Sequence, residues 1–131
     1  MYSFNFLTSV SVLNMKKILI AEDNDSNYLL MTYLLKGHYT LERARDGVEA
    51  VMLTRRNKYD LVLMDLKMPR MDGLEATRQI KLFRPELPVV ALTANVFEVD
   101  RKEAVEAGCA EFLTKPITAE VCIATIEKFT R

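Results

Sequence analysis

Five polar side chains in this sequence could do chemistry together if the fold brought them to one place: Glu22, Asp23, Asp65, Thr93 and Lys115. Each closes or follows a short apolar run. Three like charges brought together repel, which raises the cost of ionising all of them. A divalent cation removes that cost. Oxygen ligands suit Mg2+, which binds through one or two carboxylates, keeps several waters and often bridges to phosphate oxygens. Asp65 has a carboxylate nucleophile's position, and an aspartate can form an acyl phosphate. Lys115 offers a point charge to a phosphoryl oxygen, and the Thr93 hydroxyl can donate a hydrogen bond to another. Phosphoryl transfer needs little beyond such positioning and charge neutralisation. Taken singly, each group reads at least as well as a solvated loop end or half of a Lys–Asp bridge.

The elements that must position them are legible from spacing. Residues 61–64 are too short for a helix and apolar throughout, as in a strand buried on both faces. Pro69 follows Asp65 by four residues and marks a loop, so Asp65 belongs at the carboxyl end of a strand. Residues 17–21 form a second buried strand, closed by Glu22 and Asp23. Residues 24–26 offer helix caps, Leu30, Met31, Leu34 and Leu35 follow at helical spacing, and Gly37 stops that helix. Residues 40–44 are a short strand. Asp46 with Glu49 signals the next helix, with Val48, Val51 and Met52 as its apolar stripe. Asp72 with Glu75 repeats the signal for a helix carrying Ala76, Ile80 and Phe83, which Pro85 ends. Residues 87–92 make a strand running into Thr93, with Pro88 tolerable near its start. Asn95 and Glu98 open a rather polar helix that stops at Gly108. Residues 110–113 form the last strand, and Thr118 caps a helix with Cys122, Ile126 and Phe129 on one side.

Five β-α pairs imply an α/β fold, with a five-stranded parallel sheet, five helices on both faces and right-handed crossovers. Ligands in such open sheets bind at the carboxyl edge, where the five polar residues would project.

The bulk properties narrow the function. A chain of 131 residues suggests one core. Its 18 basic and 18 acidic residues balance, leaving no basic surplus for nucleic acid or an anionic membrane. No apolar run reaches the roughly 18 residues of a membrane span. Cys109 and Cys122 lack metal-type spacing and read as reduced thiols of a cytosolic protein. The single histidine, His38, lies beside a turn and argues against a histidine metal site or a Ser/His triad. Residues 1–14 carry no charged side chain, and so lack the basic start of a secretory signal. They read as a leader or linker remnant, or an over-extended start, with an added strand as the runner-up. The domain proper is expected over 15–131.

From about Lys16 to Arg131 the chain resembles the receiver domain of two-component response regulators. The resemblance rests on Ile18-Leu19-Ile20-Ala21-Glu22-Asp23-Asn24, on Leu63-Met64-Asp65-Leu66-Lys67-Met68-Pro69 with Met71-Asp72-Gly73, on Ala91-Leu92-Thr93-Ala94, and on Phe112-Leu113-Thr114-Lys115-Pro116. Each motif alone is weak; in this order and spacing they are specific. The pattern of Asn24, Asn27 and Thr93-Ala94-Asn95 is most similar to receivers of hybrid histidine kinases. The resemblance implies a flavodoxin-like sheet of order 2-1-3-4-5. It implies that Asp65 accepts a phosphoryl group from the phosphohistidine of a histidine kinase or histidine phosphotransfer protein. Asp23, Asp65 and the backbone carbonyl of Lys67 would hold Mg2+, with Glu22 helping through water. Thr93 and Lys115 would contact phosphoryl oxygens. Thr93 and Phe112 would be the switch: Thr93 moves toward the phosphoryl group, Phe112 turns inward, and the face of the fourth helix, fifth strand and fifth helix changes its partner preference. It also allows a homodimer on phosphorylation.

Departures from the family pattern leave alternatives open. Phe112 lacks the hydroxyl of the commoner tyrosine, so it can pack but cannot hydrogen-bond; an ordinary core aromatic is the alternative to its switch role. Lys67 and Asn95 occupy positions that influence phosphoryl lifetime; the Lys67 side chain either holds phosphate or extends into water. The methionines Met31, Met52, Met64, Met68 and Met71 read as core and loop packing. An aspartyl-phosphate phosphohydrolase on a similar scaffold is the alternative enzyme, but many of those need a second aspartate where Lys67 stands. A flavin carrier would want a Ser/Thr/Gly-rich loop where Glu22 and Asp23 stand. Ending soon after its last helix, the chain reads as a stand-alone receiver, a phosphorelay intermediate or a segment of a hybrid kinase, the uncharged leader favouring the last.

Overall fold

The centre of the sheet is built from strands with apolar side chains on both faces. The computed structural model describes residues 15–94 and 98–131; the leader and the cap expected at Asn95 lie outside the described residues. Among the described residues, β1 (Lys17–Ala21), β2 (Thr40–Ala44), β3 (Leu61–Asp65), β4 (Val89–Thr93) and β5 (Glu111–Thr114) pair in parallel in the order β2-β1-β3-β4-β5. Helices α1 (Asp25–Leu35), α2 (Gly47–Arg56), α3 (Gly73–Phe83), α4 (Glu98–Ala107) and α5 (Ala119–Phe129) alternate with them. This is the expected α/β order.

Strand alternation divides the core into two layers. Ile18, Ile20, Leu61, Leu63, Val90 and Leu92 face α1 and α5 through Met31, Leu35, Cys122 and Ile126. Leu19, Ala21, Val62, Met64 and Val89 face α2 and α3 through Ala50, Val51, Ala76 and Ile80. Among its described side chains, the polar helix α4 buries Ala104 and Ala107, both small. Fully burying one large aliphatic side chain contributes about 1.5–3 kcal/mol. The fully buried runs of β1 and β3 therefore hold the middle of the sheet, and the edge where they end, in a fixed place.

Four helices, α1, α2, α3 and α5, start where their cap residues predict. Asn27 N–H donates to Asn24 Oδ1 at 2.9 Å, Glu49 N–H to Asp46 Oδ1 at 2.8 Å, Glu75 N–H to Asp72 Oδ1 at 2.9 Å and Val121 N–H to Thr118 Oγ1 at 3.2 Å. Gly37 and Gly108, at φ +83 and +106, reverse the chain just after α1 and α4.

One helix face differs from expectation. In α2 only Val51 of the expected stripe is buried; Val48 and Met52 are 39% and 43% exposed. The inward face is instead Gly47, Ala50, Val51 and Thr54. Close approach explains it: a Cβ on Gly47 would stand 2.2 Å from the Met71 carbonyl oxygen. Small residues mark the packed side here, and size outweighs hydropathy. Two strands also begin later than expected. Leu87 N–H is held by Arg84 O in a turn, so β4 starts at Val89, and β5 runs Glu111–Thr114.

Candidate functional site

The order β2-β1-β3 puts the ends of β1 and β3 side by side, where the direction of winding reverses. Glu22 and Asp23 follow β1, and Asp65 ends β3. Ligand oxygens of Glu22, Asp23 and Asp65 all lie within 4.8 Å of one another. Glu22 and Asp65 are buried at 1% and 7% exposure, whereas Asp23 is exposed. Lys115, just past β5, bridges the buried pair: its Nζ is 3.2 Å from Glu22 Oε1 and 3.5 Å from Asp65 Oδ2. Thr93 ends β4 and is buried; its carbonyl accepts from Lys115 N–H at 2.7 Å, tying the hydroxyl-bearing and ammonium-bearing residues together. The Lys115–Pro116 peptide is cis.

The charge balance is unfavourable as it stands. One ammonium faces three carboxylates, so the cluster remains anionic. Burial, then the hydrogen bond and charge of Asp65, hold the Glu22 carboxyl above its usual range, against the opposing pull of Asn24 N–H and Lys115. Hard oxygen donors crowded side by side are the donor set of a small divalent cation. The residues present therefore fit a metal ion.

The loop after Asp65 is anchored from both sides. Lys67 N–H approaches Asp65 Oδ1 at 3.3 Å, and the residue is exposed. Gly73 N–H donates to Leu66 O at 3.0 Å, and a Cβ on Gly73 would stand 2.3 Å from Asp65 O. Arg70, at φ +66, donates through Nε to Asp46 Oδ2 at 2.8 Å and through Nη2 to the same oxygen. Gly47 N–H donates to Met71 O at 3.1 Å. The loop is thus fastened to the first turns of α2 and α3.

All five polar residues predicted from the sequence meet at this edge. Phe112 stands apart from them, half-buried on β5, with the Arg101 guanidinium 5.5 Å from its ring centroid. A cavity of about 180 Å³ lies beside it, lined by Arg101, Ala104, Val105 and Cys109. His38 is exposed, Cys109 and Cys122 are free thiols, and burial pushes the Cys122 thiol up to about 11. Sequence reasoning missed Arg43, Asp25, Arg70 and the acceptor role of Asp46. Asp46 and Asp25 read as caps; no local signal pairs them with arginines 18 to 24 positions away.

The family model for the response regulator receiver domain matches residues 18–127. The chain is 46% identical to histidine protein kinase 1 of Candida albicans, over 77% of this chain but only 5% of the kinase. It is 35% identical to the polar-differentiation response regulator DivK of Brucella anthropi, over 87% of this chain and 95% of the relative. Two solved structures are similar throughout. One is the receiver domain of a sensor histidine kinase from Pseudomonas aeruginosa, with magnesium coordinated in its active-site cleft; TM-score 0.83, 32% identity, 88% of this chain and 98% of that one. The other is the receiver domain of Ssk1 from Saccharomyces cerevisiae, crystallised with the histidine phosphotransfer protein Ypd1; TM-score 0.82, 29% identity, 88% and 89% covered.

Proposed function

This chain belongs to the response regulator receiver family, and from that premise we propose that Asp65 is the residue on which it takes up a phosphoryl group. Its role is that of a receiver domain in two-component phosphorelay signalling. The observation that carries the assignment is the convergence of Glu22, Asp23 and Asp65 within 4.8 Å, with Lys115 bridging the buried pair. The domain is taken as 15–131, around the matched 18–127.

An Asp65 oxygen attacks the phosphorus of a phosphohistidine. The new O–P bond forms as the P–N bond breaks, and the imidazole nitrogen leaves with the electron pair and takes a proton. The Lys115 ammonium follows the developing charge on a phosphoryl oxygen, and the Thr93 hydroxyl takes another. Asp23, Asp65 and the Lys67 carbonyl would hold Mg2+, with Glu22 helping through water. A magnesium ion held there would supply positive charge against the repulsion between the carboxylates and an incoming phosphoryl group. The magnesium in the similar Pseudomonas receiver supports that choice of metal, and the Ssk1–Ypd1 complex supports a histidine phosphotransfer protein or histidine kinase as donor. The reaction modifies the chain itself, with no separate turnover substrate. The phosphohydrolase alternative gains nothing: Lys67 stands where its second acid would be, and its side chain is exposed.

Phosphorylation draws Thr93 inward, and Phe112, now half-buried beneath Arg101, turns into the space released. The α4–β5–α5 face then carries the altered partner preference, a phosphorylation-dependent homodimer included. Among the described residues no helix is long and apolar enough to cross a membrane, and charge balance argues against nucleic acid. The cytoplasm is the compartment proposed. The chain spans 5% of the Candida kinase and 95% of DivK, so relatives include both much longer histidine kinases and proteins of receiver size.

Incubation with Mg2+ and a small phosphodonor, followed by intact-mass measurement, tests the acceptor. One added phosphoryl group is expected, and none on Asp65→Asn. Unchanged labelling of that variant refutes the assignment.

A further inference from the structure

Arg43 on β2 lies in register with Ile20, two residues before Glu22. Its side chain reaches beyond the end of β1. Nε donates to the Glu22 carbonyl oxygen at 2.9 Å, and Nη1 donates to Asp25 Oδ1 at 2.8 Å. The guanidinium lies over the Tyr28 ring, 4.6 Å from its centroid. Nη2 is buried and has no hydrogen-bond partner among the described residues. The Glu22 N–H is held separately, by Ala44 O at 2.9 Å. Both backbone polar groups of Glu22 are therefore tied to β2.

The bonded carbonyl belongs to the peptide plane between Glu22 and Asp23. Rotation of that plane sets how the two acidic side chains diverge, one into the buried pair and one toward solvent. We propose that Arg43 is a positioning residue for the metal site, fixing the Glu22–Asp23 peptide so that both carboxylates address one ion. Arg43 itself does not touch the ion. The proposal rests on the magnesium reading above.

Charge alone argues for the opposite effect. A cation beside three carboxylates competes with a divalent ion, so its removal would tighten metal binding. Positioning predicts that removal weakens binding, because the Asp23 ligand is then free to swing. A planar guanidinium can hold a carbonyl and a carboxylate in one fork while lying flat on an aromatic ring; an ammonium cannot do all three. A buried donor left without an acceptor is unfavourable, so stability alone does not account for an arginine here.

Isothermal titration with Mg2+, on the full chain and well below each melting transition, separates these effects. Arg43→Met keeps an apolar stem over Tyr28, and its Kd is expected to rise about tenfold, the scale seen when a group orienting a metal ligand is lost. Arg43→Lys keeps the charge and is expected to fall between Arg43→Met and wild type. It carries the test alone if Arg43→Met does not fold. An unchanged or lower Kd in Arg43→Met, or a wild-type Kd in Arg43→Lys, overturns the proposal. Asp23→Asn, titrated alongside, is expected to lose binding. If it binds Mg2+ as wild type does, the metal reading itself fails, and the role of Arg43 with it.

Discussion

Lys115 and Glu22 are 93 positions apart in sequence, yet Lys115 Nζ lies 3.2 Å from Glu22 Oε1. Glu22 is 1% exposed and Lys115 27% by side chain, so this pair lies between two regimes. Exposed ion pairs contribute about 0–1 kcal/mol, and breaking a buried one costs about 3–5 kcal/mol. Lys115→Met should therefore cost about 1–3 kcal/mol in metal-free buffer, because Glu22 and Asp65 then repel without an intervening cation. Mg2+ should recover that loss, giving a larger stabilisation than in wild type. Urea unfolding with and without Mg2+ checks this. A partner-binding assay should show that the variant binds metal but transmits the phosphorylation signal poorly.

Magnesium should stabilise the folded chain by mass action. At a free concentration of a hundred times Kd, the gain is about 2.7 kcal/mol for a single site. Thermal melting of wild type should shift upward accordingly, and Asp23→Asn should show almost no shift. A full shift in the variant would remove Asp23 from the ligand set.

The Arg70–Asp46 contact should make part of the stability acid-labile. Burial raises the Asp46 carboxyl, but the Glu49 N–H, the Arg70 guanidinium and the Val48 N–H outweigh it and hold the carboxyl below its usual range. A depressed folded-state value means the contribution is present above the ordinary value of 3.8 and is lost as pH falls through the folded value. Asp46→Asn keeps a cap but loses the charged partner, at a cost of about 1–3 kcal/mol near neutrality. The difference between the two proteins should shrink below the ordinary carboxylate value, as read from unfolding midpoints against pH.

Gly73→Ala should be destabilising despite alanine's better helix propensity. Its Cβ would meet Asp65 O at 2.3 Å and Leu66 Cα at 2.9 Å, backbone atoms that cannot swing aside. Overpacking of this kind costs about 1–3 kcal/mol. The strain falls on the residue carrying the acceptor carboxylate, so phosphorylation should slow as well. Chemical unfolding and timed mass spectrometry give the two readouts. A stability gain would show that α3 can slide off the end of β3.

The fold was legible because its signals are local. Four-residue and five-residue apolar runs, the caps at Asn24, Asp46, Asp72 and Thr118, and the glycines after α1 and α4 each report on their own neighbourhood. The α2 face was not legible, because Val48 and Met52 look like a stripe until Met71 is known to press against Gly47. The carboxylates, Thr93 and Lys115 could be picked out because each stands at the end of a strand. Arg43 could not, since a charged residue on an edge strand looks like a solvated one.

The order of residue types along this chain determined the alternation of strands and helices, and which polar side chains end the strands. These follow from backbone propensity, apolar period and capping, which act over a few residues. Tertiary structure alone decided how those ends are held: Arg43 on the Glu22 carbonyl, Arg70 on Asp46 and Gly73 against Asp65. Strand register and helix approach set those distances, and both depend on packing between segments remote in sequence.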